Sequence, residues 1–251
     1  MTRATRLFAA VLVAVAIAGC GGTKVVTTTT TSTPAPRLTQ VKVYFLYHDK
    51  VQPISRFVST AEPTWLGAWK NLAGGPTGET PLGVLTALRL GGGWTLGVTS
   101  DGLLSLSTVE VPRAFLAQTV YTLTQFAPTR PVLVNGRRYT RADFEEFTPA
   151  ILVESPLPQL PDQTVTRPLR MTGTANTFEA TFEYELVDSA DKVIAKHFVT
   201  ATSGSGTRGT FDVTIPYPAG HAGPGKLVVY ESSAKDGSRI HVVEIPLRLT
   251  G

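Results

Sequence analysis

Asp143, Glu145 and Glu146 crowd into one short stretch, directly after the Arg137-Arg138 pair. Two carboxylates flanking one bond can hydrolyse a glycoside, one as acid and the other as base or nucleophile. Adjacent acids in a charged stretch are more commonly just solvated. Glu179, Glu183 and Glu185 fall on one face of a run that alternates like a strand, a stripe that suits a cation or a basic partner or is simply the wet side of a sheet. The four histidines, His48, His197, His221 and His241, are scattered without metal-ligand spacing and read as solvated or core residues. Gly204-Ser205-Gly206-Thr207-Arg208-Gly209 matches the glycine pattern that cradles dinucleotide phosphates. That pattern needs a helix after it, whereas Thr210-Phe211-Asp212-Val213 reads as a strand, so a hairpin loop is expected. Ser203 and Ser205 lack the Gly-x-Ser-x-Gly elbow. The expectation is a chain that is no enzyme, with no catalytic, cofactor-binding or metal-binding residue and no cofactor.

The remaining chemical group is the thiol of Cys20, the one cysteine in the chain. Arg3 and Arg6 precede an apolar run from Leu7 to Ala18, and Ile17-Ala18-Gly19-Cys20 closes it. Basic start, short apolar middle and small residues make a bacterial export signal. The run is too short for a membrane span, which needs about 20 apolar residues. Ile17-Ala18-Gly19-Cys20 resembles the lipobox of bacterial lipoproteins. The resemblance implies cleavage after Gly19, a diacylglycerol thioether on Cys20, and mooring in the lipid bilayer on the extracytoplasmic face of the cell membrane. A secreted protein or an uncleaved anchor is the alternative.

Composition limits the rest. Hydrophobic residues are 42% and charged residues 17% of the chain, as in globular cores rather than disorder. Loss of Arg3 and Arg6 lowers the formal charge from +4 to about +2. Lys and Arg do not cluster with aromatics, so no nucleic-acid partner is expected. With one cysteine no internal disulfide can form, and the folded parts must hold by packing. After the signal over 1–19, residues 20–40 are rich in Thr and Pro and read as a tether, glycosylated or plain, reaching roughly 25 Å.

The elements that must position these groups follow. Val41–Tyr47 and Val51–Ser59 read as strands around a turn at His48-Asp49-Lys50, with Pro53 marking the second as an edge strand. Pro63 opens a helix carrying Trp65, Leu66, Trp69 and Leu72, which Gly74-Gly75-Pro76 ends. Leu82–Leu90, Trp94–Thr99 and Leu103–Val109 read as strands, the last two joined by a turn at Asp101-Gly102. Pro112 opens a second helix through Leu116, Thr119, Val120 and Leu123. Its threonines are poor helix formers, so it should depend on packing. A hairpin with its turn at Asn135-Gly136 follows. Both helices are placed on one face of a single sheet.

Leu72–Thr77 with Glu79, Leu85-Thr86-Ala87, Asp101-Gly102 and Gln118–Thr124 together resemble the GerMN domain, named for a sporulation and spore-germination lipoprotein. The resemblance covers roughly 41–140. It implies an α+β fold, a sheet with two helices, like the ring-building domains of sporulation secretion machinery, with no enzymatic residues to carry over. Tyr121 and Leu123 are read as core.

Thr148-Pro149 and the Pro-rich stretch from Ser155 to Pro161 put a boundary near 148, dividing 41–147 from 148–251. The second part reads as about seven strands: 151–153, 165–172, 178–188, 192–201, 208–215, 226–231 and 239–249. Alternation in Phe178–Val187, Phe211–Ile215 and His241–Leu249 gives each an inner and an outer face, as in an all-β immunoglobulin-like sandwich. Thr172–Ala180, Gly206–Phe211 and Asp236–Arg239 resemble the immunoglobulin-like domain of bacterial spore germination, over roughly 150–250. Its pairing behind GerMN on a lipoprotein is a known arrangement that also occurs in bacteria that form no spores. The expected function is a non-catalytic envelope lipoprotein that binds or scaffolds an envelope protein or the cell wall. A cell-wall-acting enzyme using Asp143, Glu145 and Glu146, and a ligand-binding envelope sensor, are the alternatives.

Overall fold

The computed structural model describes residues 37–76, 93–158 and 164–251. The expected export signal, Cys20, most of the expected tether and the expected strand over 82–90 lie outside them. The described chain opens with a ribbon, β1 (Leu38–Tyr47) and β2 (Lys50–Ser59), paired antiparallel with Tyr44 opposite Pro53. His48 and Asp49 both take positive φ at the turn, the geometry that matches the twist of the flanking strands. Helix α1 (Thr64–Gly74) starts after Pro63 and buries Trp69 and Leu72.

A second sheet has the order β3-β4-β5-β6, from β3 (Thr95–Val98), β4 (Leu104–Ser107), β5 (Val132–Val134) and β6 (Arg137–Tyr139). β4 and β5 are parallel, as their long connection through helix α2 (Arg113–Thr124) permits. Every residue of α2 from Ala117 to Thr124 is buried, because the helix lies among β1, β2, α1, β5 and the 3-10 segment Arg141–Phe147. Among the described residues, the single sheet expected for this half is therefore two. The reason lies at the edge of β1. The outer edge of β1 is occupied by α2, whose Gln125 side chain accepts from Lys42 N–H at 2.9 Å and donates to Lys42 C=O at 2.6 Å. Thr122 Oγ1 accepts from Tyr44 N–H at 3.0 Å. No edge is left there for another strand.

The second half pairs β7 (Ile151–Ser155), β8 (Leu169–Ala175) and β11 (Gly209–Ile215) in one sheet, ordered β11-β8-β7. The other sheet is β10-β9-β12-β13, from β9 (Thr181–Val187), β10 (Val193–Thr200), β12 (Gly223–Ser232) and β13 (Arg239–Leu249). Met171, Phe182, Leu186, Phe211, Val229 and Ile245 fill the space between them. Alternation fails at three predicted places. Phe178–Ala180 is a 3-10 turn rather than the start of β9, because Glu179 and Ala180 have positive φ and Phe178 N–H is held by Glu231. Phe178 is thereby left 58% exposed. Val165 makes only an isolated bridge to Leu249, and β8 begins at Leu169. His241 has positive φ where the β12–β13 register slips, so it does not join the inner row.

Among the described residues two large apolar cores result, the first around α2 and the second inside the sandwich, with a small cluster of Val187, Val228 and Tyr230 on the outer face of the larger sheet, and all of these residues fall in one compact unit. Among the described residues no helix is long and apolar enough to cross a membrane.

Candidate functional site

A cleft of about 630 Å³ lies where β1, β2 and the end of α2 meet β7, β8 and the segments leading to them. Val41, Phe57, Leu157 and Val165 supply apolar wall, and Lys42, Gln125 and Glu154 supply polar floor. β1 sets the arrangement: Val41 and Val43 enter the first core while Lys42 points the other way, as strand alternation requires.

Below the floor is a charge cluster. Arg141 Nη1 donates to Glu154 Oε1 at 2.7 Å and its Nε to Thr124 Oγ1 at 2.8 Å. Its guanidinium lies 4.7 Å from the Tyr121 ring centroid and 5.4 Å from that of Tyr44, so two aromatic faces cover it. Tyr44 O–H donates to the same Glu154 Oε1. Lys42 Nζ stands 3.9 Å from that oxygen, outside hydrogen-bond reach. Burial alone pushes the Glu154 carboxyl up, but Arg141, Lys42 and the Tyr44 hydroxyl more than offset it and hold it below the usual range. Burial pushes the Lys42 ammonium down; Glu154 only partly counters this and Arg141 adds to it. The Tyr44 hydroxyl is pushed well up, chiefly by burial. By formal charge the cluster comprises two basic groups, Lys42 and Arg141, and one carboxylate, Glu154.

The carboxylates singled out by sequence have other partners. Asp143 closes a capping box with Thr140, accepting from Thr140 N–H at 2.7 Å. Glu146 pairs with Arg113 at 2.5 Å. Glu145 takes a bidentate grip from Arg208, 2.8 Å from Nη2 and 2.9 Å from Nε, and accepts from Asn176. Arg208 also donates to Pro149 C=O, so this ion pair bolts the sandwich to the 3-10 segment of the first half. Arg208 and Asn176 hold the Glu145 carboxyl below its usual range, and Arg113 does the same for Glu146.

Of the acidic stripe, Glu183 and Glu185 do share the outer face of β9, but Glu179 lies in the turn before it. Glu185 is engaged by Arg239 at 2.7 Å and Lys196 at 3.0 Å, and Glu183 by Ser232 at 2.6 Å. The sheet's own cations thus neutralise the stripe. His48 stacks on Tyr47, His221 Nδ1 lies 2.8 Å from Asp188, and His197 and His241 are exposed. Among the described residues no three His, Cys, Asp or Glu side chains are grouped to hold a metal ion. The glycine run is a packed loop: a Cβ on Gly204 would stand 2.5 Å from Ala180 Cα and from Thr177 C=O.

Sequence reasoning missed Lys42, Arg141 and Glu154. Their signal was present as charge out of place: Lys42 interrupts Val41 and Val43, and Glu154 ends the apolar run Ile151–Val153. A charge inside an apolar strand needs a partner.

The seven strands from β7 to β13, in sheets of three and four, set the context for the comparison with known families. Residues 150–238 match the family described as the immunoglobulin-like domain of bacterial spore germination. The match runs from β7 through β12 and stops just before β13, which completes the larger sheet. It relates the chain to spore-germination proteins. Comparison with curated proteins and with solved structures finds no match.

Proposed function

We propose that the chain is a lipoprotein of the extracytoplasmic membrane face, moored by acylated Cys20, that binds or scaffolds envelope components without catalysing a reaction. The match of residues 150–238 to a spore-germination immunoglobulin-like domain is the observation that carries this reading. We read the first half as a GerMN-like α+β domain, in line with its two helices and mixed strands. The side-chain chemistry agrees. A glycosidase acid needs a raised pKa, whereas Glu145 and Glu146 are held low by arginines and Asp143 serves a helix cap. Mass spectrometry of the native protein should find an N-terminal, diacylglyceryl-modified Cys20, and Cys20→Ala should leave the membrane fraction. An intact Met1 with a free thiol removes the anchor from the proposal. Crosslinking in membranes should then recover a specific envelope protein or cell-wall fragment with the wild type. Release of peptidoglycan fragments by the purified protein would instead make it an enzyme.

A further inference from the structure

We propose that the cleft between the two cores is a binding site for a small organic carboxylate, held by Lys42 and seated against Phe57 and Val165. The inference goes beyond the envelope-binding reading and is independent of the anchor. Failure of acylation at Cys20 leaves it standing, and an empty cleft leaves the anchor standing.

Size comes first. At about 630 Å³ the cleft falls in the range of small-molecule sites, with an apolar wall and a few convergent polar groups. Charge comes second. Glu154 Oε1 already serves Arg141 and Tyr44, so Lys42 receives only a contact at 3.9 Å. Among the described residues no acceptor lies within hydrogen-bond reach of Lys42 Nζ. Two neighbouring polar groups are engaged: the Gln125 amide is divided between Lys42 N–H, Lys42 C=O and Thr122 C=O, and Gln40 donates to Ser55 at 2.5 Å. At the rim, Arg170 is closed by Asp212 at 2.5 Å. Among the described residues, one cation without a hydrogen-bonded acceptor and an excess of one positive charge around the floor call for one negative charge, which a carboxylate supplies and a phosphate dianion oversupplies. The ammonium is partly withdrawn from water, so a hydrogen-bonded anion gains more there than at an open surface. The wall of Phe57 and Val165 then takes the ligand's apolar body, whether an acyl chain or the face of a sugar ring.

The test uses the full chain in lipid nanodiscs, with empty nanodiscs as blank, and calorimetry with two matched pairs: N-acetylmuramate against N-acetylglucosamine, and hexanoate against hexanol. At least one carboxylate should bind about tenfold or more tighter than its uncharged counterpart, the margin of a charge-assisted hydrogen bond. The pair that shows it distinguishes a sugar body from an acyl body. Lys42→Met should erase the margin and Lys42→Arg should keep it. In the unsubstituted protein, the Lys42 ε-methylene NMR signal should titrate at higher pH with the carboxylate bound. Absence of saturable binding by either carboxylate, equal binding within both pairs, a margin that survives in a folded Lys42→Met protein, or an unmoved Lys42 titration would each overturn the proposal.

Discussion

Glu154 is the residue on which the junction turns. One of its oxygens serves Arg141 and Tyr44 at once, and its side chain is only 16% exposed. Removing a partner from such a pair leaves a charge in poorly solvated surroundings, so Arg141→Met should cost about 3 kcal/mol in urea unfolding. Glu154→Gln should cost less, because it removes the anion and keeps a hydrogen-bond acceptor. Acid should act through the same group. The Glu154 and Glu145 carboxyls titrate below their ordinary value of 4.5 in the folded chain, so both favour folding when ionised. Their contribution is complete above the unfolded value and lost as pH falls through the folded ones. Urea midpoints should therefore hold steady between neutral pH and about 5 and fall below about 4.5, with a shallower fall in Glu154→Gln. A midpoint that rises on acidification would contradict the arrangement.

At the scale of elements, local signals were read well where backbone chemistry is local. Asn135-Gly136 turns β5 into β6, Pro63 and Pro112 open α1 and α2, and the seven strands expected for the sandwich each overlap one of β7 to β13. It failed where a long-range bond decides. Phe178–Ala180 alternates correctly but is bent by the grip of Glu231 and by Ser205 Oγ, which accepts from Glu179 N–H. The second sheet of the first half was illegible for the same reason. Side chains of α2, 83 and 78 residues away from their partners in β1, cap the strand that would have joined the two. The threonines of α2 lower its intrinsic propensity, yet Thr122 and Thr124 are the groups that hold β1 and Arg141. Gln125→Ala should uncover two backbone groups of Lys42 and destabilise the fold by about 1–3 kcal/mol in urea titration. Gly204→Ala should cost at least about 1 kcal/mol by the same measurement, since the added methyl meets backbone rather than a yielding side chain.

At the scale of the whole molecule, two arginines join the halves in opposite senses. Arg141 of the first half holds Glu154 of β7, and Arg208 of the second holds Glu145 in the segment before the junction. Neither pairing could be foreseen, since each links residues whose proximity exists only after both cores have formed. The wild type should melt in one calorimetric transition. Arg141→Met combined with Arg208→Ala should resolve two, and a single transition in the double variant would place the coupling elsewhere. The ribbon β1–β2 carries a further consequence. Tyr44 spends its N–H on Thr122, so the pair Tyr44–Pro53 lies at a non-bonded step of the ladder, and the missing N–H of Pro53 falls on the outer border of β2. One border of the ribbon is thus plugged by helix side chains and the other is interrupted by an imino acid. Neighbouring copies packed side by side find no continuous template along this ribbon on which to zip together.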